Sequence, residues 1–347
     1  MGTDTNHVLS RREMIRFTAV AGLSVALGVP ALTALVRAGR LHHVQRTKGQ
    51  LGTIVSISVV HPERDVAQAM VSSAFREMER LESILSRHRP DTPVARLNQE
   101  GTVGQAPPEL TDTLQRALEF SRITDGAFDV TMKPLLDLFT GGVQRAGGLP
   151  DPGEIQEAQS RVGYPNLQVD GETIRLLKPG MGVTLDGIGK GLVVDATLEV
   201  LANQGAQHVF LDGGGDIATS GRAANGAPWN VGIQAPDDVD GLLGFVRLRR
   251  SGGLATSGDY VQTITDDRRH HHIIDPRTGN SPTELSSVSV AAPTALDADA
   301  LSTSVMVLGV KLGIDLLEGR PGAEGMLVTK HGEQVLTSGF AELYRRT

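Results

Sequence analysis

The stretch LGTIVSISVV alternates along its length, with Val55, Ile57 and Val59 on one side and Ser56 and Ser58 on the other, which predicts a half-buried β-strand. Downstream, Val66, Met70, Ala74, Met78, Leu81 and Leu85 recur at spacings of three and four, the pattern of an amphipathic helix that packs on a sheet between Asp65 and Ser86. A second helical pattern has Leu110, Leu114, Leu118 and Ile123 as its apolar members and stops at Asp125-Gly126, where glycine suits the conformation that ends helices. Short β-like segments then dominate: QHVFLDGGGD, PWNVGIQAP, GFVRLRR and SSVSVAAP, each bounded by Gly, Pro or Asp. A helix around Asp195 precedes them, and ALDADALSTSVMVLG predicts another after them. The glycine- and proline-rich stretch GGVQRAGGLPDPG reads as a loop between two lobes, and no internal repeat divides the chain. The pattern is that of one α+β domain over residues 41–347, built of mixed short strands with flanking helices.

The first 40 residues follow a different logic. Arg11 and Arg12 precede an uncharged, Gly- and Ala-rich run from Thr18 to Val36, which has no charged face to offer to water. This is the layout of a twin-arginine export signal. With no clean small-residue cleavage site at its end, cleavage near Ala34 or Ala38 and retention as an N-terminal membrane anchor are both open. The expected location is therefore extracytoplasmic or periplasmic.

Composition narrows the chemistry. A net charge of −7 without a concentrated basic surface argues against a nucleic-acid partner. The chain has no cysteine, which removes disulfides and thiolate metal sites. The helix predicted over ALDADALSTSVMVLG places Asp299 and Thr303 one turn apart, so that a carboxylate and a hydroxyl face the same way. Such oxygens suit a hard cation such as Mg²⁺, though a solvated helix face would show the same spacing.

In VTLDGIGKGLVVDATLEVL a β-like run leads through a glycine-rich turn into a helix, with Lys190 at the helix start. Free N–H groups and a lysine there can bind a phosphate, or the turn can be purely structural. LDGGGDIATSG, with Gly213, Gly214 and Gly215, has the same two readings. DGAFDVTMKPL sets Phe128 beside Asp129, a ring and an acid able to receive a planar heterocycle, or else a core phenylalanine with a capping aspartate. In HHHIIDPRTG, His270 and His272 share one face of an extended chain and His271 the other. Zinc is a poor match, because no second histidine cluster or H-x-x-x-H helix accompanies them. A histidine that takes a proton from an incoming hydroxyl fits better.

Together these segments resemble the ApbE family, the FAD:protein FMN transferases, NosX-like members included. The segments that carry the resemblance are LGT, LSRHRPDTPVARLNQ, DGAFDVTMKPL, DGIGKG, LDGGGD, ATSGDY, HHHIIDPRTG and DADALST, in this order. The resemblance implies FAD as substrate with Mg²⁺, a Ser or Thr hydroxyl of an acceptor protein attacking the FMN-side phosphorus, and AMP as the leaving group. It implies Asp299, Thr303 and the main-chain carbonyl of Gly187 as metal ligands, with Lys190 at the phosphates and His272 as general base. Ala127, Phe128 and Asp129 would line the flavin or adenine site together with Leu51, His88, Ile273 and Ile274. The acceptor would be an extracytoplasmic or membrane redox protein, such as an Rnf-, Nqr- or NosR-like subunit.

Three departures stand out. Many members read D-L-G-G-I-A-K-G where this chain has Thr184-Leu185-Asp186-Gly187-Ile188-Gly189-Lys190-Gly191, so Thr184 stands at the expected acid and Asp186 is a candidate substitute. His88 stands where relatives commonly have Tyr, and Leu51 where they have Met. Two other readings are an FAD pyrophosphatase that gives FMN and AMP, and a non-catalytic FAD-binding maturation protein.

Overall fold

The computed structural model describes residues 41–144, 148–248 and 251–346, and the predicted export segment therefore lies outside the described residues. Eight strands form one antiparallel sheet: β1 (His42–Gln50), β2 (Thr53–His61), β6 (His208–Gly213), β7 (Ile217–Ser220), β10 (Gly252–Gly258), β11 (Leu285–Ala292), β12 (Glu324–Thr329) and β13 (Gln334–Leu336), in that spatial order. Between the second and third of these in sequence lie two-residue β3 (Thr102–Val103), β4 (Leu167–Asp170) and β5 (Thr173–Leu176), a separate small sheet. A third sheet contains β8 (Trp229–Ala235), β9 (Asp238–Leu248) and the C-terminal β14 (Tyr344–Arg346). Mixed helices with antiparallel sheets make this an α+β fold.

Alternation in the large sheet dictates its two neighbours. Val209 and Leu211 of β6 and Leu327 of β12 join the principal core, whereas Phe210, Met326 and Val328 join Trp229, Val231, Ile233 and Val246 of β8 and β9 in a second core. The principal core is closed by α1 (Arg64–Leu85), α6 (Gly189–Asn203) and α7 (Ala295–Glu318), which lie on the sheet and against one another. The remaining helices are α2 (Pro93–Glu100), α3 (Pro108–Ile123), α4 (Lys133–Gln144), α5 (Pro152–Ser160) and the short α8 (Phe340–Leu343). A small third cluster, Leu135, Phe139, Ala158 and Ile274, joins α4 and α5 to the segment that follows the histidines.

The helices predicted before Ser86 and before Asp125-Gly126 form within two residues of their sequence limits, while α7 covers the predicted 295–309 and continues to Glu318. Three expectations need correction. β2 is buried on both faces: Ser56 and Ser58 are nearly as enclosed as the valines, flanked by β1 on one side and β6 on the other, and the Gln45 amide and Thr47 hydroxyl of β1 donate to Ser56 Oγ. Ile123 is 44 % exposed, since α3 ends there and its last turn passes beyond the core. GGVQRAGGLPDPG is not wholly a loop, because α4 continues to Gln144 and an Asp151–Glu154 capping box starts α5 at its other end. Among the described residues, α7 alone is long and apolar enough to cross a membrane, yet it packs on β10, β11 and β12, as a core helix does.

Candidate active site

The start of α6 and the first two turns of α7 meet at the centre of the matched motifs. Thr294 begins α7 by accepting the Asp297 N–H at 3.0 Å, a conventional N-cap, and this registers Asp299 and Thr303 on the turn that faces α6. Asp299 is only 4 % exposed, and its Oδ2 accepts the Gly191 N–H at 3.1 Å. The Thr303 hydroxyl lies 3.2 Å from Ser257 Oγ on β10, so it is not turned back onto its own helix. Ser257 is held in turn by Ser302 at 2.9 Å. Gly187 sits directly against this pair, where a Cβ would fall 3.1 Å from Thr303 Oγ1 and 3.3 Å from the Phe128 ring.

The charges here are unbalanced. Lys190 ion-pairs with the buried Asp216, and its ammonium is held charged against desolvation by Asp216 and Asp299. Desolvation first, and then the charge of Asp216, pushes the Asp299 carboxyl up to about 8. Asp212, at the LDGGGD turn, is pushed up to about 6 by desolvation, with Asp216 adding to it. One lysine thus faces several enclosed carboxylates, an arrangement that a further cation would relieve. Among the described residues no three of His, Cys, Asp or Glu gather as metal ligands. Any cation at this place would be held by one carboxylate with hydroxyl and carbonyl oxygens, a donor set that fits Mg²⁺ with water and phosphate completing it.

The three histidines diverge. His270 stacks on Phe139 of α4, with ring centroids 6.5 Å apart. His271 is fully buried, its Nε2 donating to the Pro282 carbonyl at 3.0 Å while Ser281 Oγ bonds both its N–H and its carbonyl. His272 is partly exposed and feels the charges of Asp186 and Lys190. Its Nδ1 lies 3.3 Å from the Gln262 carbonyl, which can only accept, so Nδ1 carries the proton and Nε2 is the basic nitrogen. Desolvation, helped by His271, pushes its pKa down to about 4 rather than leaving it near neutrality, as the sequence leads one to expect.

His271 gives a stability prediction. Burial lowers its pKa from 6.5 to about 4, so between those values the unfolded chain binds the extra proton and the fold does not. Stability should therefore fall as pH drops through that window, by about 3 kcal/mol for this residue. Urea melts at pH 7 and pH 4.5 should show a flatter acid limb for His271→Gln than for wild type; equal slopes would mean that other groups set the acid sensitivity.

Other sequence-singled residues have contacts of their own. Phe128 is buried edge-on to Phe120, centroids 5.9 Å apart, and backs the Gly187 turn. Asp129 is buried and turned inward: Oδ1 accepts from the Thr131 N–H and hydroxyl at 2.8 and 2.7 Å, and Oδ2 from the Tyr164 N–H at 2.7 Å. Ala127, Ile273 and Ile274 are buried beside them or in the adjoining clusters. Thr184 is buried, its Oγ1 accepting the Asp186 N–H at 3.3 Å, while the Asp186 carboxylate turns outward to Arg87 at 2.9 Å. The Thr184 hydroxyl and the Asp186 carboxylate thus point to different partners. His88 is exposed on the same loop as Arg87. Leu51 occupies a left-handed φ of 56° in the two-residue turn between β1 and β2, next to Gly52 at 68°. Thr53 just beyond it packs on Gly214, so the LGT and LDGGGD motifs touch.

Sequence reasoning missed Asn98, Arg87, Asp216 and Ser257. Asn98 clamps Val183 by accepting its N–H at 2.6 Å and donating to its carbonyl at 2.9 Å, which fixes the strand-like run into the glycine turn. Each lies inside a matched motif, but its partner is far away in sequence, so no local spacing marks it.

Comparison with known proteins agrees with this layout. The model of the ApbE family matches residues 51–327. The chain belongs to the ApbE family. Among curated relatives, the FAD:protein FMN transferase of Salmonella typhimurium is 31 % identical over 293 residues, covering 82 % of this chain and 83 % of that one. The FAD:protein FMN transferase of Treponema pallidum is 31 % identical over 312 residues, covering 83 % and 85 %. Among solved structures, the ApbE protein of Thermotoga maritima superimposes with a TM-score of 0.80 at 28 % identity, covering 88 % of this chain and all of that one. The flavinyl transferase ApbE of Pseudomonas stutzeri gives 0.77 at 28 % identity, covering 88 % and 97 %. The curated relatives of this ApbE-family chain are thus transferases.

Proposed function

We propose that this ApbE-family protein is an exported, Mg²⁺-dependent FAD:protein FMN transferase. It would attach FMN through a phosphoester bond to a Ser or Thr of an extracytoplasmic or membrane redox protein, of the Rnf-, Nqr- or NosR-like kind, and release AMP. The observation that carries the reading is the meeting of Asp299, Thr303 and Gly187 beside Lys190 at the start of α6, with too little positive charge for the carboxylates enclosed there. Asp299, Thr303 and the Gly187 carbonyl would hold Mg²⁺, which when bound neutralises pyrophosphate charge and assists the departure of AMP. Lys190 and the N–H groups of the glycine turn would hold phosphate oxygens. His272 Nε2 would accept the proton of the attacking hydroxyl, and nearby phosphate charge would raise its depressed pKa on substrate binding. Export rests on Arg11, Arg12 and the apolar run after them, which also leaves membrane association through that segment open.

The test is to incubate the exported domain with FAD, Mg²⁺ and an acceptor carrying a D-x-x-[ST]-x-A-T segment, then to weigh the acceptor. A gain of one FMN residue supports transfer. AMP release without that gain would make the protein an FAD pyrophosphatase, and neither product would leave an FAD-binding maturation protein. His272→Gln should slow transfer about a hundredfold, at the low end for general-base catalysis because so acidic an imidazole is a weak base. FAD affinity should hardly change. Unchanged turnover would remove His272 from the proton transfer.

A further inference from the structure

The two helices that would supply the metal oxygens are braced against each other by an exchange of carboxylates. Asp299 lies one turn into α7 and accepts the Gly191 N–H at the start of α6, at 3.1 Å. Asp195 lies one turn beyond Gly191 in α6, and its two oxygens accept the N–H groups of Ala295 and Leu296 at the start of α7, at 2.9 and 2.8 Å. Ala295 is in turn one turn before Asp299, so each helix start is capped by a carboxylate from the other. Such starts have unpaired N–H groups and a dipole that favours negative charge, so both ends of the brace are attractive.

The crossing leaves no lateral slack. A Cβ on Gly191 would lie 2.4 Å from the Ala295 carbonyl oxygen and 2.7 Å from Leu296 Cα, so the backbones touch and only glycine fits between them. Asp299 and Thr303 ride on α7, whereas Gly187 belongs to the turn that leads into α6. The distance between these oxygens is therefore set by the relative height of the two helices. Of the two braces, Asp299 would be shared with the cation, which leaves Asp195 as the one with no other duty.

We propose that Asp195 is a positioning residue for the metal site: by tying the start of α7 to α6 it sets Asp299 and Thr303 at the height of Gly187, and so sets the affinity for Mg²⁺. Mg²⁺ tolerates little departure from its octahedral distances, so a small slide of α7 weakens binding before it unfolds the protein. Groups that orient ligands without touching the metal typically change its affinity 10–100-fold. The inference rests on the transferase reading given above.

The experiment measures the Mg²⁺ concentration that gives half-maximal FAD binding, followed by flavin fluorescence, alongside the Mg²⁺ dependence of transfer. Asp195→Ala should raise both concentrations roughly 10–100-fold, with turnover largely recovered at saturating Mg²⁺. Asp195→Asn keeps one acceptor oxygen and should fall between Ala and wild type. Val193→Ala, a cavity in a buried position of the same helix, controls for loosening alone: it should lower Tm without moving the Mg²⁺ dependence. The inference is overturned if Asp195→Ala binds FAD with the wild-type Mg²⁺ requirement, or if Val193→Ala shifts that requirement as far. Wild type with no Mg²⁺-dependent FAD binding would instead sink the transferase reading itself.

Discussion

Asp299→Asn is expected to abolish FMN transfer, by about a thousandfold or more, while leaving the fold as stable as wild type or more so. The loss follows from removing the one enclosed carboxylate that can hold a cation beside the glycine turn, since Lewis-acid stabilisation is worth several kcal/mol and each 1.4 kcal/mol is about tenfold in rate. Stability should move the other way. Asparagine keeps an oxygen for the Gly191 N–H but removes a charge that desolvation and Asp216 both oppose. The sign is set by the raised carboxyl: its value is about 8 in the fold against an ordinary 3.8, so ionising it costs stability as pH rises through that window. Thermal melts in EDTA at pH 8 should therefore favour Asp299→Asn over wild type, and the difference should shrink toward pH 5. A lower Tm for the variant at pH 8 would show that the carboxylate is a structural ligand of α6 first and a metal ligand second. Full transfer activity would remove it from the site.

Lys190→Met should damage both stability and activity. It leaves Asp216 enclosed without its ion-pair partner, and breaking a buried pair by removing one member is far costlier than removing both. Because the lysine side chain keeps 36 % exposure, the low end of the usual range applies, about 3 kcal/mol, or a fall in Tm of roughly 5 °C for a domain of this size. The double variant Lys190→Met with Asp216→Asn should regain most of that Tm, yet remain inactive if the ammonium meets the phosphates. Recovery of transfer in the double variant would mean that Lys190 only balances Asp216. A single variant as stable as wild type would mean that solvent already screens the pair.

These two residues differ in how visible they are beforehand. Lys190 and Asp299 stand out in the sequence because each sits at a local pattern, a glycine-rich helix start and an i, i+4 pair of oxygens. Asp216, Asp195 and Ser257 matter as much to the geometry but have their partners 26, 100 and 46 residues away. The DGAFDV motif shows the converse case. Its ring and acid look ready for a heterocycle, but a sequence cannot say that Phe120, Thr131 and Tyr164 are already there to engage them.

By itself, the sequence determined the four helices with a clear apolar period or a glycine-rich start, the strand-rich α+β character and the segments that gather at the site. Those features rest on periodicity, glycine stops and short motifs, which are local properties of the chain. Only the tertiary structure decided that both faces of β2 are covered, that Asp186 pairs with Arg87, and that His272 is far more acidic than a free histidine. It alone also showed the two helix starts capping each other. Burial, charge balance and close approach depend on which distant segments lie alongside, and packing fixes that after every local preference has been satisfied.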